Sequence, residues 1–260
     1  MGYATVLVER TEGVATISLN RPEARNALDL VMRGELRGAL DELEADATTK
    51  VVILTGAGGH FSAGGDVKTM AAKRQTAAEG RARVESLNRF IIRLFEYPKP
   101  TIAMVDGFAV GAGCNIALAC DLVIASEDAQ FGTPEINVGL WPYMITVPLL
   151  RSMPPKTVLE LMMTGRRVDA AEADRIGFVT RVVPAGELDA AVDELTANLA
   201  SKSPAIMKVG RDAFYAVLDL SAREALQLLH PMLTVTSMSE DTAEGIAAFA
   251  EKREPNWKGR

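Results

Sequence analysis

Glu135 is the carboxylate whose surroundings suggest chemistry. It ends the run Phe131-Gly-Thr-Pro-Glu135, where proline fixes the backbone just ahead of an acidic side chain. Upstream lies a glycine-rich bend, Asp106-Gly107 followed by Gly111-Ala112-Gly113. A helix is expected to follow, with residues 115–120 as its apolar body. The N–H groups near Gly111 to Gly113 would then be unpaired donors at a helix N-terminus, directed at any negative oxygen nearby. Donors so arranged can stabilise an enolate. A second glycine-rich bend, residues 56–66, holds five glycines in eleven positions and ends Phe61-Ser-Ala-Gly-Gly-Asp66. It allows close backbone approach to a ligand, but lacks the ending of a P-loop and the spacing of a dinucleotide fingerprint.

The elements around these bends read as strand, loop, helix, twice. Residues 50–55 form an apolar strand that runs into the first bend, and a helix is expected over 67–95 with a polar interruption at 73–80. Residues 101–105 form a second strand that runs into the second bend and the helix at 115. That alternation is expected of α/β proteins, and both loops are expected to face one ligand. Upstream, residues 5–10 and 14–19 read as a hairpin. A helix over 28–45 carries Leu28, Val31, Met32, Leu36, Leu40 and Leu43 at helical spacing, with Arg33, Glu35, Arg37, Asp41, Glu42 and Glu44 on the other, solvated faces. Downstream, strand 121–125 is followed by short helices at 145–151 and 156–164. A helix capped by Asp169 ends at Gly177, and strand 178–183 ends at Pro184. Residues 187–251 are helical, with breaks near 203, 220 and 239.

Composition narrows the function classes. The 260 residues are 48% hydrophobic, enough for a sizeable core, and the formal charge of −6 argues against a nucleic-acid surface. Cys114 and Cys120 match neither a disulfide framework nor a metal spacing, and His60 and His230 alone supply few candidates for a zinc site or a triad. No metal is expected. No apolar run approaches the ~18 residues of a membrane span, so the expectation is a soluble, cytoplasmic protein.

Six segments together resemble the enoyl-CoA hydratase/isomerase (crotonase) family: Asn20-Arg-Pro22 with Asn26-Ala-Leu28, Phe61 to Asp66, Gly107 to Asn115, Phe131 to Glu135, Leu161 to Gly165 and Phe249 to Arg253. The resemblance spans nearly the whole chain. It implies an α/β fold, a crotonase-like spiral of ββα units over residues 1–200, with a helical C-terminal trimerisation region over 201–260. The implied assembly is a homotrimer or a dimer of trimers. The implied substrate is an acyl-CoA thioester, with coenzyme A part of the substrate, no separate cofactor, and a place in fatty acid metabolism.

The resemblance also assigns roles. Two backbone N–H groups, of Ala63 and Ala112, would hold the thioester oxygen, each donor worth ~3 kcal/mol in the transition state. Hydratases of the family use two glutamates, at the positions of Asn115 and Glu135 here, and only the second is present. Syn addition of water is easiest with two carboxylates, whereas moving a double bond needs one base that takes a proton from C2 and returns it to C4. The chemistry therefore leans toward isomerisation, with hydration by Glu135 and an Asn115-oriented water as the alternative. Tyr143 and Met144 stand where a glycine-rich stretch is usual and are expected to reshape the acyl pocket. Coenzyme A is expected at Arg25, Ala27, Ala63, Gly64, Gly65, Asp66 and Lys68, with Lys252 contributed by a neighbouring subunit. Other enolate chemistry usually needs further polar groups in the pocket, and the sequence offers no clear set. A non-catalytic acyl-CoA-binding or RNA-binding homologue is the reading from a different class; Glu135 and the mixed charge of helix 28–45 argue against it.

Overall fold

The computed structural model describes residues 2–66 and 76–260. Its frame is a six-stranded sheet in the order β1-β2-β3-β4-β6-β9, formed by β1 (Val6–Thr11), β2 (Val14–Leu19), β3 (Val51–Gly56), β4 (Thr101–Val105), β6 (Leu122–Ser126) and β9 (Arg181–Val183). β1 and β2 make the expected hairpin, turning at Glu12 and Gly13 with φ of 47° and 88°. Such a turn matches the right-handed twist of the flanking strands. From β2 onward every pair is parallel, with Ile17 beside Leu54, Ile53 beside Ile102, and Ala103 beside Val123. The carboxyl ends of β3, β4 and β6 therefore share one edge, and both glycine-rich loops leave from it.

A second, three-stranded sheet lies beyond that edge, in the order β5 (Phe108–Val110), β7 (Gln130–Gly132), β8 (Arg167–Asp169). The sequence reading passed over β5, β7 and β8, whose three residues each are too short for a pattern of period two to register. The first loop joins this layer through a bridge from Ser62 to Ala109. β4 is thus followed by β5, β6 by β7, and β3 by the Ser62 bridge, as in a spiral of ββα units.

Helices cover both faces of the large sheet. α1 (Leu30–Ala45) is capped by Asp29, whose Oδ1 accepts the Met32 N–H, and buries Met32, Leu36, Ala39, Leu40 and Leu43. α2 (Ala77–Phe95) starts on a capping box made by Thr76 and Glu79. The expectation of a helix from residue 67, and Lys68 with it, falls on residues outside those described. α3 is Ala112–Ala119, α4 Thr146–Ser152, α5 Pro155–Thr164 and α6 Ala170–Ile176. α7 (Leu188–Ala200) packs Leu188 and Val192 on Val51, Ile53, Ile102 and Ile124. Burying side chains of this size is worth roughly 1.5–3 kcal/mol each.

α8 (Pro204–Val217), α9 (Ala222–Ser237) and α10 (Glu240–Glu251) follow, with Ser203, Ser221 and Ser239 as N-caps. Arg211 fastens α8 to the core: Nε meets both Asp121 oxygens at 2.8 and 2.9 Å, and the Nη atoms donate to Phe95 O and Leu94 O. Tyr215 Oη donates to the same carboxylate at 2.7 Å. The outer faces of α9 and α10 expose Leu226, Leu233, Val235 and, 87% exposed, Phe249.

Candidate active site

The first loop is shaped by Asn26. It is fully buried with φ of 56°, and its Nδ2 donates to Ala57 O at 2.9 Å and to His60 O at 2.7 Å. Its carbonyl accepts from Ser62 Oγ at 2.8 Å, which in turn accepts from Gly64 N–H. The second loop is stitched to the first: Ser62 N–H donates to Phe108 O, and Val110 N–H to Ser62 O. Gly64 closes the joint. Its φ is +90°, and a Cβ there would lie 2.7 Å from Val110 O and 3.3 Å from Ala112 N.

His60 is a structural member of this joint, stacked on Phe108 with Nδ1 accepting the Phe108 N–H.

The loops open on a cavity of about 510 Å³ lined by Ala63, Gly65, Gly111, Ala112, Asn115, Glu135 and Tyr143 among others. The sequence-predicted residues at its centre are thus brought together. Ala63 is corrected in one respect: its N–H donates to Arg25 O at 2.8 Å and is not available to a ligand. The N–H of Gly65, two residues on, donates to no group among the described residues and belongs to the same lining. The sequence offered two adjacent glycines and no means of telling which peptide pointed outward. Ala112 opens α3, so its N–H has no partner within the helix.

Glu135 sits on a 3₁₀ turn, Pro134–Val138. Its Oε1 lies over Gly111, 3.1 Å from where a Cβ would be, so a side chain at 111 would crowd the carboxylate. Its Oε2 is buried without a hydrogen-bond partner, and burial raises its pKa above the ordinary value. A carboxylate so held is a stronger base than an exposed one. Asn115, 2% exposed, also presents an unpartnered Oδ1. Burial pushes both thiols well up, and Cys114 and Cys120 remain unpaired and buried.

Val138, Leu140, Trp141, Met144 and Ile145 give the cavity an apolar wall, with Tyr143 at a rim position, 77% exposed. Two residues there were missed. Arg33, read as part of a solvated helix face, is 7% exposed and lines the cavity, as does Arg83. Helical spacing put Arg33 off the face of Met32 and Leu36, and its arginine type argued for solvent; both readings are corrected by its burial.

The expected coenzyme A residues lie around the loops. Arg25 is exposed in the left-handed region (φ 49°), its guanidinium 5.7 Å from the Phe108 ring centroid, and Ala27 is buried. Asp66 pairs with Arg21 at 3.3 Å. Lys252 is exposed at the C-cap of α10.

A spiral of ββα units that aims two backbone donors and a buried carboxylate into one apolar cavity defines a crotonase-fold enzyme. Solved structures agree. The enoyl-CoA hydratase of Bacillus anthracis matches with a TM-score of 0.94 at 33% identity, covering 99% of this chain and 100% of that one. That of Mycobacterium smegmatis matches with a TM-score of 0.93 at 33% identity, covering 98% and 99%. A curated relative in Mycobacterium bovis, named "Probable enoyl-CoA hydratase", is 37% identical over 100% of both chains. The family profile described as Enoyl-CoA hydratase/isomerase matches residues 9–260. The chain belongs to the enoyl-CoA hydratase/isomerase family, and is an acyl-CoA enzyme of it.

Proposed function

We propose that this enzyme moves a double bond, converting a 3-enoyl-CoA into the conjugated 2-enoyl-CoA with Glu135 as its single acid–base group. The observation that carries the reading is that Glu135 is the one carboxylate among the described residues lining the cavity, with Asn115 where a second would be needed. Glu135 takes a proton from C2, the electron pair flows into the thioester carbonyl, and the Gly65 and Ala112 N–H groups stabilise the resulting dienolate oxygen. The protonated Glu135 then delivers the same proton to C4, C2 and C3 become the double bond, and the carboxylate is regenerated. No water or separate cofactor enters. Burial supports the role: a base with raised pKa takes the proton from carbon less uphill than an ordinary carboxylate would.

Hydration is the second reading, favoured by the unpartnered Oδ1 of Asn115, which can accept from a water molecule, and by the names of the relatives. Coenzyme A is proposed to lie along Arg25, Ala27 and Gly64 to Asp66, with Lys68 and a neighbouring subunit's Lys252 near its phosphates. The exposed apolar residues of α9 and α10 support a homotrimer or a dimer of trimers.

The test supplies a 3-enoyl-CoA and a 2-enoyl-CoA separately and follows double-bond migration and water addition, with Glu135→Gln as control. Migration that is fast in the parent and falls at least ~10³-fold in the variant is expected. Hydration faster than migration would replace the single-base reading with the Asn115–water one.

A further inference from the structure

The cavity holds a charge that neither reading uses. Arg33 of α1 reaches its wall with a side chain that makes two hydrogen bonds, both to backbone: Nη1 to Arg83 O at 3.0 Å and Nη2 to Leu28 O at 3.2 Å. Its Nε is buried and has no acceptor. No carboxylate lies within ion-pairing distance of Arg33 among the described residues; Asp29, one turn earlier, is bound by Arg21 at 3.0 Å. Arg83 of α2 lines the same cavity and forms no ion pair among the described residues either.

A buried cation with no ion-pair partner is expensive to hold. Burial, and then the neighbouring Arg83 guanidinium, lower the Arg33 pKa from its ordinary value, and the Asp29 carboxylate only partly opposes them. A hydrocarbon tail would leave both defects in place: the Nε without an acceptor and two like charges sharing a wall otherwise made of groups such as Val84, Leu87 and Met144. A carboxylate would relieve the second, because its charge offsets the pair and its two oxygens match the planar N–H groups of a guanidinium.

We propose that the acyl group accepted by this cavity ends in a carboxylate received by Arg33 with Arg83, so that the substrate is the mono-coenzyme A thioester of an unsaturated dicarboxylic acid. This substrate class rests on the acyl-CoA reading of the site, but not on which reaction Glu135 performs. The apolar residues then enclose the middle of the chain, and the charge at its far end fixes how far the chain enters and hence which carbon faces Glu135.

Binding of saturated thioesters tests this without using Glu135. Glutaryl- and adipyl-CoA are titrated calorimetrically against pentanoyl- and hexanoyl-CoA, their neutral equals in length, with free coenzyme A as a further arm. At least one dicarboxylic thioester is expected to bind ~10–100-fold more tightly than its neutral equal, the range for a charge-assisted hydrogen bond. Arg33→Met should collapse that ratio to below about threefold, and Arg83→Gln, at a half-exposed position, should reduce it even if the buried variant folds poorly. Neutral thioesters binding as well as dicarboxylic ones in the parent, or an unchanged ratio in both variants, would overturn the proposal. So would Arg33→Met weakening free coenzyme A as much as the thioesters, because the guanidinium would then be serving a phosphate. A retained ratio preference in a protein inert toward double-bond migration would support the carboxylate pocket and sink the isomerase reading alone.

Discussion

Replacing Gly64 by alanine should separate the two loops that carry the backbone donors. The new Cβ would lie 2.7 Å from Val110 O, where ordinary contact begins at 3.4 Å, so ~0.7 Å must be absorbed between the loops. It would also approach Ala112 N at 3.3 Å, one of the two donors themselves. Misplacement of a reacting group by about 1 Å costs ~10²-fold in rate. A displacement of ~0.7 Å therefore predicts a ~30–100-fold fall in kcat/KM, or about 2–2.7 kcal/mol of transition-state stabilisation. Because the donors act on charge that develops during reaction, the loss should appear mainly in kcat. The positive φ adds ~1–3 kcal/mol of strain, lowering Tm by roughly 2–12 °C. Gly59→Ala is the control. It has φ of +76° in the same loop, but its Cβ would meet nothing within 4 Å, so it should lose stability and keep its rate. The assay is steady-state turnover of the enoyl-CoA that the parent uses best, with circular dichroism to verify folding. A folded Gly64→Ala enzyme with kcat/KM within threefold of the parent would refute the idea that contact between these loops sets the donor pair.

The pH dependence of stability gives another test. Burial raises the folded-state pKa of Glu135, so its contribution to stability is full below the ordinary value of 4.5 and is lost as pH rises through the folded value. Glu135→Gln should therefore raise Tm at pH 8 and lose that advantage toward pH 4; a Tm difference that ignores pH would count against a buried, partnerless carboxylate. Asp121→Asn should cost ~3–5 kcal/mol, because it leaves the Arg211 guanidinium buried without its charge partner. Denaturant unfolding would measure this, and a loss below ~1 kcal/mol would mean that α8 is held by other contacts.

Most of the frame was legible because it is repetitive. Apolar runs of strand length alternating with amphipathic helices specify a sheet covered by helices, and the cap at Asp169 and the breaks near residues 203, 220 and 239 mark helix starts that the structure reproduces. Glu135, Asn115 and Ala112 were legible as site residues through motif order. What escaped reading depends on direction. Which peptide of Ala63-Gly64-Gly65 points its N–H into the cavity is a matter of backbone angles that residue types do not encode, and Asn26 fixes those angles from a distant part of the chain. Arg33 escaped for a related reason: periodicity puts a residue on a face, but the loops decide whether that face meets water or a cavity.

The fastening of α8 also sets a timetable. Asp121 is synthesised 90 residues before Arg211, and Tyr215 follows later still. At ~5–20 residues per second, roughly 5–18 s pass between translation of the acid and arrival of its counter-charge. During that interval Thr101, which gives its N–H and hydroxyl to the carboxylate, is the partner already made. The carbonyls of Leu94 and Phe95 wait equally for the guanidinium. A chain interrupted between Asp121 and Arg211 therefore carries its own mark of incompleteness, an unneutralised acid at the foot of β4 and β6, and the fastening is completed only when the last fifth of the polypeptide emerges.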